Sequence, residues 1–115
     1  MRFGISLKSM EIIIGALQRI DVIEGAAIFG SRSMGNFKHG SDVDIAVYGA
    51  HISEQVVQEL NADLNERLPL PYYFDVIHYE GVTHQGLKEH IDRYGRQFYT
   101  RPLPRPKEIC LETLR

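Results

Sequence analysis

The stretch that most constrains this chain is residues 42–48, Asp-Val-Asp-Ile-Ala-Val-Tyr. Its β-branched and apolar content reads as a strand, yet it begins with two aspartates, which strands disfavour. Side chains alternate across a strand, so Asp42 and Asp44 point to one face. Val43, Ile45 and Val47 point to the other and build a core. Two like charges on one face cost stability unless something offsets them, and a cation is the obvious candidate.

A second run, residues 72–79 (Tyr-Tyr-Phe-Asp-Val-Ile-His-Tyr), is rich in aromatic and β-branched residues and carries Asp75 between Phe74 and Val76. If the two strands are neighbours, three carboxylates converge. Mg²⁺, a hard cation that prefers oxygen ligands, would relieve their repulsion. Upstream, residues 26–29 (Ala-Ala-Ile-Phe) form a short apolar strand that ends at Gly30, followed by Ser31. A glycine after a strand lets backbone approach a ligand closely. A helix start at Ser31 offers free N–H groups to a phosphate. Ser31 adds a hydroxyl donor, and Arg32 is either a solvated surface residue or a fork for phosphate oxygens. A phosphate cradle beside a carboxylate-bound metal pair is the machinery of phosphoryl or nucleotidyl transfer, with two metals about 4 Å apart clamping the attacking and leaving oxygens.

The remaining periodicities supply helices to cover the sheet. Leu7, Met10, Ile13, Ile14, Leu17 and Ile20 recur at helical spacing behind a cap at Ser6 or Ser9. A short helical turn is expected from Ser31 to near Gly35. Ser53 caps a helix with Val56, Val57, Leu60 and Leu64 on its stripe, which Pro69 ends. Thr83 is the expected cap of a last helix carrying Leu87, Ile91 and Tyr94, stopped by Gly95, before a short edge strand at 97–99. This order predicts one α+β domain, a small mixed sheet with helices packed on one face. The domain is expected at 1–100, with a proline-rich tail over 101–115 that forms one terminal helical turn.

At 115 residues the chain buries roughly two-thirds of its unfolded surface, enough for one core. Its 43% hydrophobic and 24% charged residues are those of a globular domain. A net charge of −2 gives no strong electrostatic footprint for nucleic acid, so direct nucleic-acid binding is not expected. No apolar run is long enough to span a bilayer, and the amino-terminal stretch lacks a cleavage-site pattern, so neither a membrane span nor a signal peptide is expected. A single cysteine, Cys110, cannot form an intrachain disulfide and suits a reducing cytoplasm.

Gly30-Ser31, ten intervening residues, then Asp42-Val43-Asp44, with Asp75 on a later strand, resembles the signature of the polymerase-β-type nucleotidyltransferases. The short length and the wording G-S-R-S-M-G-N-F-K-H-G-S-D-V-D-I-A-V are similar to the minimal nucleotidyltransferase (MNT) proteins. The run L-K-E-H-I-D-R-Y-G-R-Q-F-Y resembles the helix–glycine–strand ending of that family, and the resemblance covers about residues 8–100. It implies a small mixed sheet of the polymerase-β palm type. It implies that Asp42 and Asp44 bind two Mg²⁺, with Asp75 as third carboxylate and as base or orienter of the attacking hydroxyl. Gly30 and Ser31 would hold the β- and γ-phosphates of ATP. Many such proteins are antitoxins that transfer AMP to a tyrosine of a HEPN-domain ribonuclease toxin, and that is the activity the resemblance implies here. With no second domain to hold an acceptor, the acceptor must be gripped by a surface patch, by another copy of the chain or by a partner protein. The competing readings are a module that neutralises its partner by masking alone, and a small-molecule nucleotidyltransferase working as a dimer.

The other chemistry-bearing residues read as structural. His39, His51, His78, His84 and His90 lack zinc-ligand spacing and are expected at the surface or in the core. Tyr72, Tyr73, Phe74, Tyr79, Tyr94 and Tyr99 read as strand and core aromatics.

Overall fold

A computed structural model of the chain describes residues 3–38 and 40–102. The expected terminal helical turn, Cys110 and the bulk of the proline-rich tail lie outside the described residues, as does His39. Helix α1 spans Leu7–Gln18; the Ser6 hydroxyl accepts from the Ser9 amide at 3.1 Å and sets its start. Met10, Ile13, Ala16 and Leu17 form its buried stripe, whereas Leu7 lies outside it and is exposed. At the other end the Arg101 guanidinium donates to the carbonyls of Leu17, Gln18 and Ile20 at the carboxy-terminal end of α1.

Strand β1 (Gly25–Phe29) is buried along its whole length because it is central. It is followed by α2 (Ser31–Met34), one turn held between Gly30 and Gly35 at φ 77° and 82°, a backbone that glycine adopts without penalty. Strand β2 (Val43–Tyr48) runs antiparallel to β1, with Phe29 opposite Asp44. Helix α3 (Glu54–Ala62) starts at the Ser53 cap and widens into a π-type turn over Asp63–Arg67. It stops at Leu68, which is extended, as a residue before proline must be. Strand β3 (Phe74–His78) lies parallel to β2.

Helix α4 (Gln85–Tyr94) is capped one residue later than expected: Nδ1 of His84, not Thr83, accepts from the Leu87 amide. Strand β4 (Arg96–Thr100) then pairs antiparallel with the free side of β1, giving a mixed sheet in the order β3-β2-β1-β4. Among the described residues no helix is long and apolar enough to cross a membrane.

Alternation decides which residues enter which layer. Ile28, Val43, Ile45, Val47, Phe74 and Val76 pack with α1 and α3 into the main core. On the other face, Phe29 and Ala46 meet Ile91 and Leu87 of α4 in a small second cluster. Stacking of Tyr48 on Tyr79 at 4.7 Å and a hydrogen bond from the Tyr79 hydroxyl to Asp92 hold that layer down. The mixed sheet and the two main helices follow the sequence-based expectation. The expectation of helices on one face only does not: the amphipathic stripe of α4 can cover either face, and the chain enters it from the opposite side.

Candidate active site

Three chain segments meet where β1 ends and β2 and β3 begin. The parallel ladder sets Asp44 directly beside Asp75, as register neighbours that share a face. Asp42 stands exposed just before β2, two residues from Asp44. The face they occupy is that of α4, away from the main core. Burial pushes the Asp44 carboxyl above the ordinary aspartate range, and the charges of Asp75 and then Asp42 push it further. His90 and Arg32 act in the opposite sense. Among the described residues, no group of three or more acidic, histidine or cysteine side chains closes around a common point. Three like charges lower their energy by splaying apart.

The turn at Gly30 is built against this cluster. A Cβ at Gly30 would collide with Oδ2 of Asp44, and φ there is 77°, so the position is closed to other residues on two counts. The Gly30 amide donates to Nε2 of His90 at 3.1 Å, and the Gly30 carbonyl accepts from the Ser33 hydroxyl at 2.9 Å. Ser31 opens α2. A helix of one turn has little dipole, so what it offers an anion is the unpaired N–H groups of that turn.

Arg32 is placed differently from either expectation. Only 4% exposed, it donates Nε and Nη2 to the Ser41 carbonyl at 3.1 and 2.7 Å, and Nη1 to the Phe3 carbonyl at 2.8 Å. Its guanidinium lies over the rings of Phe37 and Tyr72. It ties the loop that leads into Asp42 to α2 and to the amino-terminal segment. Beside it a cleft of about 570 Å³, within the size range of small-molecule sites, is lined by Phe37, Lys38, Ser41, Tyr72 and Tyr73 among others. Tyr73, expected as a strand aromatic, is 75% exposed at its rim.

Two features of the site escaped the sequence. His90 reaches the Gly30 turn from α4, 60 residues away in the chain. Asn61 and Asn65 clamp the outer edge of β3. Asn65 accepts from the Phe74 amide at 2.7 Å and donates to its carbonyl at 2.9 Å; Asn61 makes the same pair with Val76, at 3.0 and 3.3 Å. Four residues of helix rise about 6 Å and two of strand about 6.6 Å, so the spacings match. The side-chain amides take the place of a missing strand and fix the backbone on both sides of Asp75. The i, i+4 spacing of Asn61 and Asn65 is visible in the sequence; the strand it serves is not.

No curated protein matches the sequence. Among solved structures, the fold is similar to that of a chain in a toxin–antitoxin complex with AMP-PNP. The TM-score is 0.66 at 24% identity, over 94% of this chain and 82% of that one. It is similar to a chain of the MntA-HepT toxin–antitoxin at TM-score 0.64 and 21% identity, covering 84% and 74%. A tri-AMPylated Shewanella oneidensis HEPN toxin in complex with MNT antitoxin gives TM-score 0.62 and 22% identity, covering 90% and 76%. The family model described as polymerase beta, nucleotidyltransferase, matches residues 11–102. With the Gly30 turn, Asp44 and Asp75 inside that span, the chain belongs to the polymerase beta nucleotidyltransferase family.

Proposed function

We propose that this chain is a Mg²⁺-dependent adenylyltransferase that moves AMP from ATP onto a tyrosine hydroxyl of a HEPN ribonuclease toxin, and so serves as its antitoxin. The observation that carries the reading is the side-by-side placement of Asp44 and Asp75 against the Gly30–Ser31 turn. Membership of a nucleotidyltransferase family supports the chemistry. Fold likeness to antitoxins seen with their toxins supports the partner.

Asp42, Asp44 and Asp75 would hold the Mg²⁺, two ions in all, because carboxylate oxygens are the hard donors this cation takes. Bound there, divalent cations neutralise phosphate charge and stabilise the attacking and leaving oxygens. Gly30 and Ser31 form the cradle for the β- and γ-phosphates, Ser31 through its backbone N–H and hydroxyl and Gly30 by letting them approach the turn closely. Asp75 orients the acceptor hydroxyl and takes its proton as the oxygen bonds to the α-phosphorus. The bond from that phosphorus to the bridging oxygen breaks, and pyrophosphate leaves. Arg32 stands outside the proposed phosphate contacts, since its N–H groups serve backbone carbonyls. The catalytic body is residues 1–100 in this proposal, with 101–115 as a tail. The cytoplasm, which supplies ATP and demands no disulfide, is its proposed compartment.

The test is to incubate the protein with a HEPN-domain partner, ATP and Mg²⁺, and to weigh the partner. Added AMP on a partner tyrosine is the expected result. A stable complex with no change in mass overturns the enzymatic reading in favour of masking.

A further inference from the structure

The Gly30 turn has a partner that the family signature does not call for. The Gly30 amide donates to Nε2 of His90 at 3.1 Å, so that ring nitrogen is the acceptor for the turn. The imidazole is not free to swing. It packs edge-on to Phe29 at 6.2 Å between ring centres and against Tyr94 at 5.1 Å. Phe29 is the last residue of β1 and Tyr94 the last of α4, so the ring is gripped by the strand that delivers the turn and by its own helix. The adjacent residue of α4, Ile91, is buried in the small second cluster and anchors the helix on this face.

Gly30 needs such a hold. With no side chain and φ at 77°, its peptide has more rotational freedom than those of the side-chain-bearing residues of the turn. Its position against the Asp44 carboxylate leaves little room for error. We infer that His90 is a positioning residue, which fixes the Gly30 peptide from across the fold so that the turn meets the phosphates of a nucleotide in one orientation. The inference rests on the nucleotidyl-transfer reading above and assigns a residue to it. The bond occupies the Gly30 amide, so the phosphates are left the Ser31 amide and hydroxyl and the rest of the α2 turn. A held turn binds substrate and transition state alike, so its loss raises the KM for ATP and leaves kcat nearly unchanged.

Full-length wild type, His90→Leu and His90→Gln are titrated with Mg²⁺·AMP-PNP by calorimetry, and their AMP-transfer kinetics and Tm are measured alongside. One hydrogen bond lost from the turn weakens binding by roughly fivefold in His90→Leu. In His90→Gln, whose side-chain oxygen can accept the same amide, binding stays within about twofold of wild type. A merely structural role would lower Tm in both variants without this split. Unchanged binding in a folded His90→Leu, or equal loss in both variants, overturns the positioning role while the nucleotidyl-transfer reading stands. Tighter binding in His90→Leu overturns it too, since His90 would then compete with phosphate for the amide. Wild-type protein that fails to bind AMP-PNP overturns the nucleotidyl-transfer reading, and the role of His90 with it.

Discussion

The two faces of this sheet are built from the same strands to opposite ends. On one face Ile28, Ile45, Val47 and Val76 lie under α1 and α3 in a continuous core, each almost wholly removed from water. On the other, Phe29, Ala46 and Ile91 make a small cluster, and beyond it the face is given to Asp44, Asp75 and His90. The difference teaches how a small domain can tolerate a repelling acidic cluster. The main core carries the stability, which frees the second face to hold charge. Alternation keeps the two jobs apart residue by residue, and the sharpest contrast is between chain neighbours, Asp44 and Ile45.

Substituting those two neighbours separates the faces. Asp44→Asn is isosteric and removes one charge of three. AMP transfer should fall at least roughly a hundredfold while the fold is kept, as circular dichroism and a cooperative melt would show. Transfer at the wild-type rate would break the assignment of that face. Ile45→Ala should do the reverse. Ile45 is fully buried, and trimming it costs about 2–5 kcal/mol in urea unfolding, with specific activity per folded molecule near wild type. A large loss of activity in a folded Ile45→Ala protein would mean that the two faces are coupled.

Much of this contrast was legible in the sequence because it is a matter of period. The alternation over 42–48 fixes which side chains share a face, and strand pairing needed only adjacency to bring Asp75 beside Asp44. The helix start at Ser53 was legible, and that at Ser6 was narrowed to Ser6 or Ser9, because a hydroxyl in that place satisfies orphan amides. What escaped was long-range. The side to which α4 returns depends on the connection after β3, not on the helix's own stripe, and with it went the role of His90. Arg32 reads locally as either a solvated surface residue or a phosphate fork, yet it is buried because the carbonyls of Phe3 and Ser41 and the rings of Phe37 and Tyr72 surround it. The clamp by Asn61 and Asn65 depends on which strand forms the sheet edge, which spacing alone does not reveal.

The smallest expected effect sharpens the comparison most, because it measures the cost of the charged face directly. Asp44 has a native pKa raised above its unfolded value by burial and by Asp75 and Asp42. Between those two values the native state binds more protons than the unfolded one, so stability falls as pH rises through that window. Below it Asp44 is neutral in both states and costs nothing; above it the full penalty is present. Asp44→Asn removes the penalty. Without divalent cations, the variant should melt a few degrees above wild type at neutral pH, an effect kept small by solvent screening. The gap should close as the pH is lowered below the ordinary aspartate range. Added Mg²⁺ should raise the wild-type Tm more than that of the variant and narrow the gap from the other direction. Melting curves over this pH series, with and without Mg²⁺, decide it. A variant that melts below wild type at neutral pH would show that Asp44 stabilises the face it occupies, and the division of labour between the two faces would fail at its central residue.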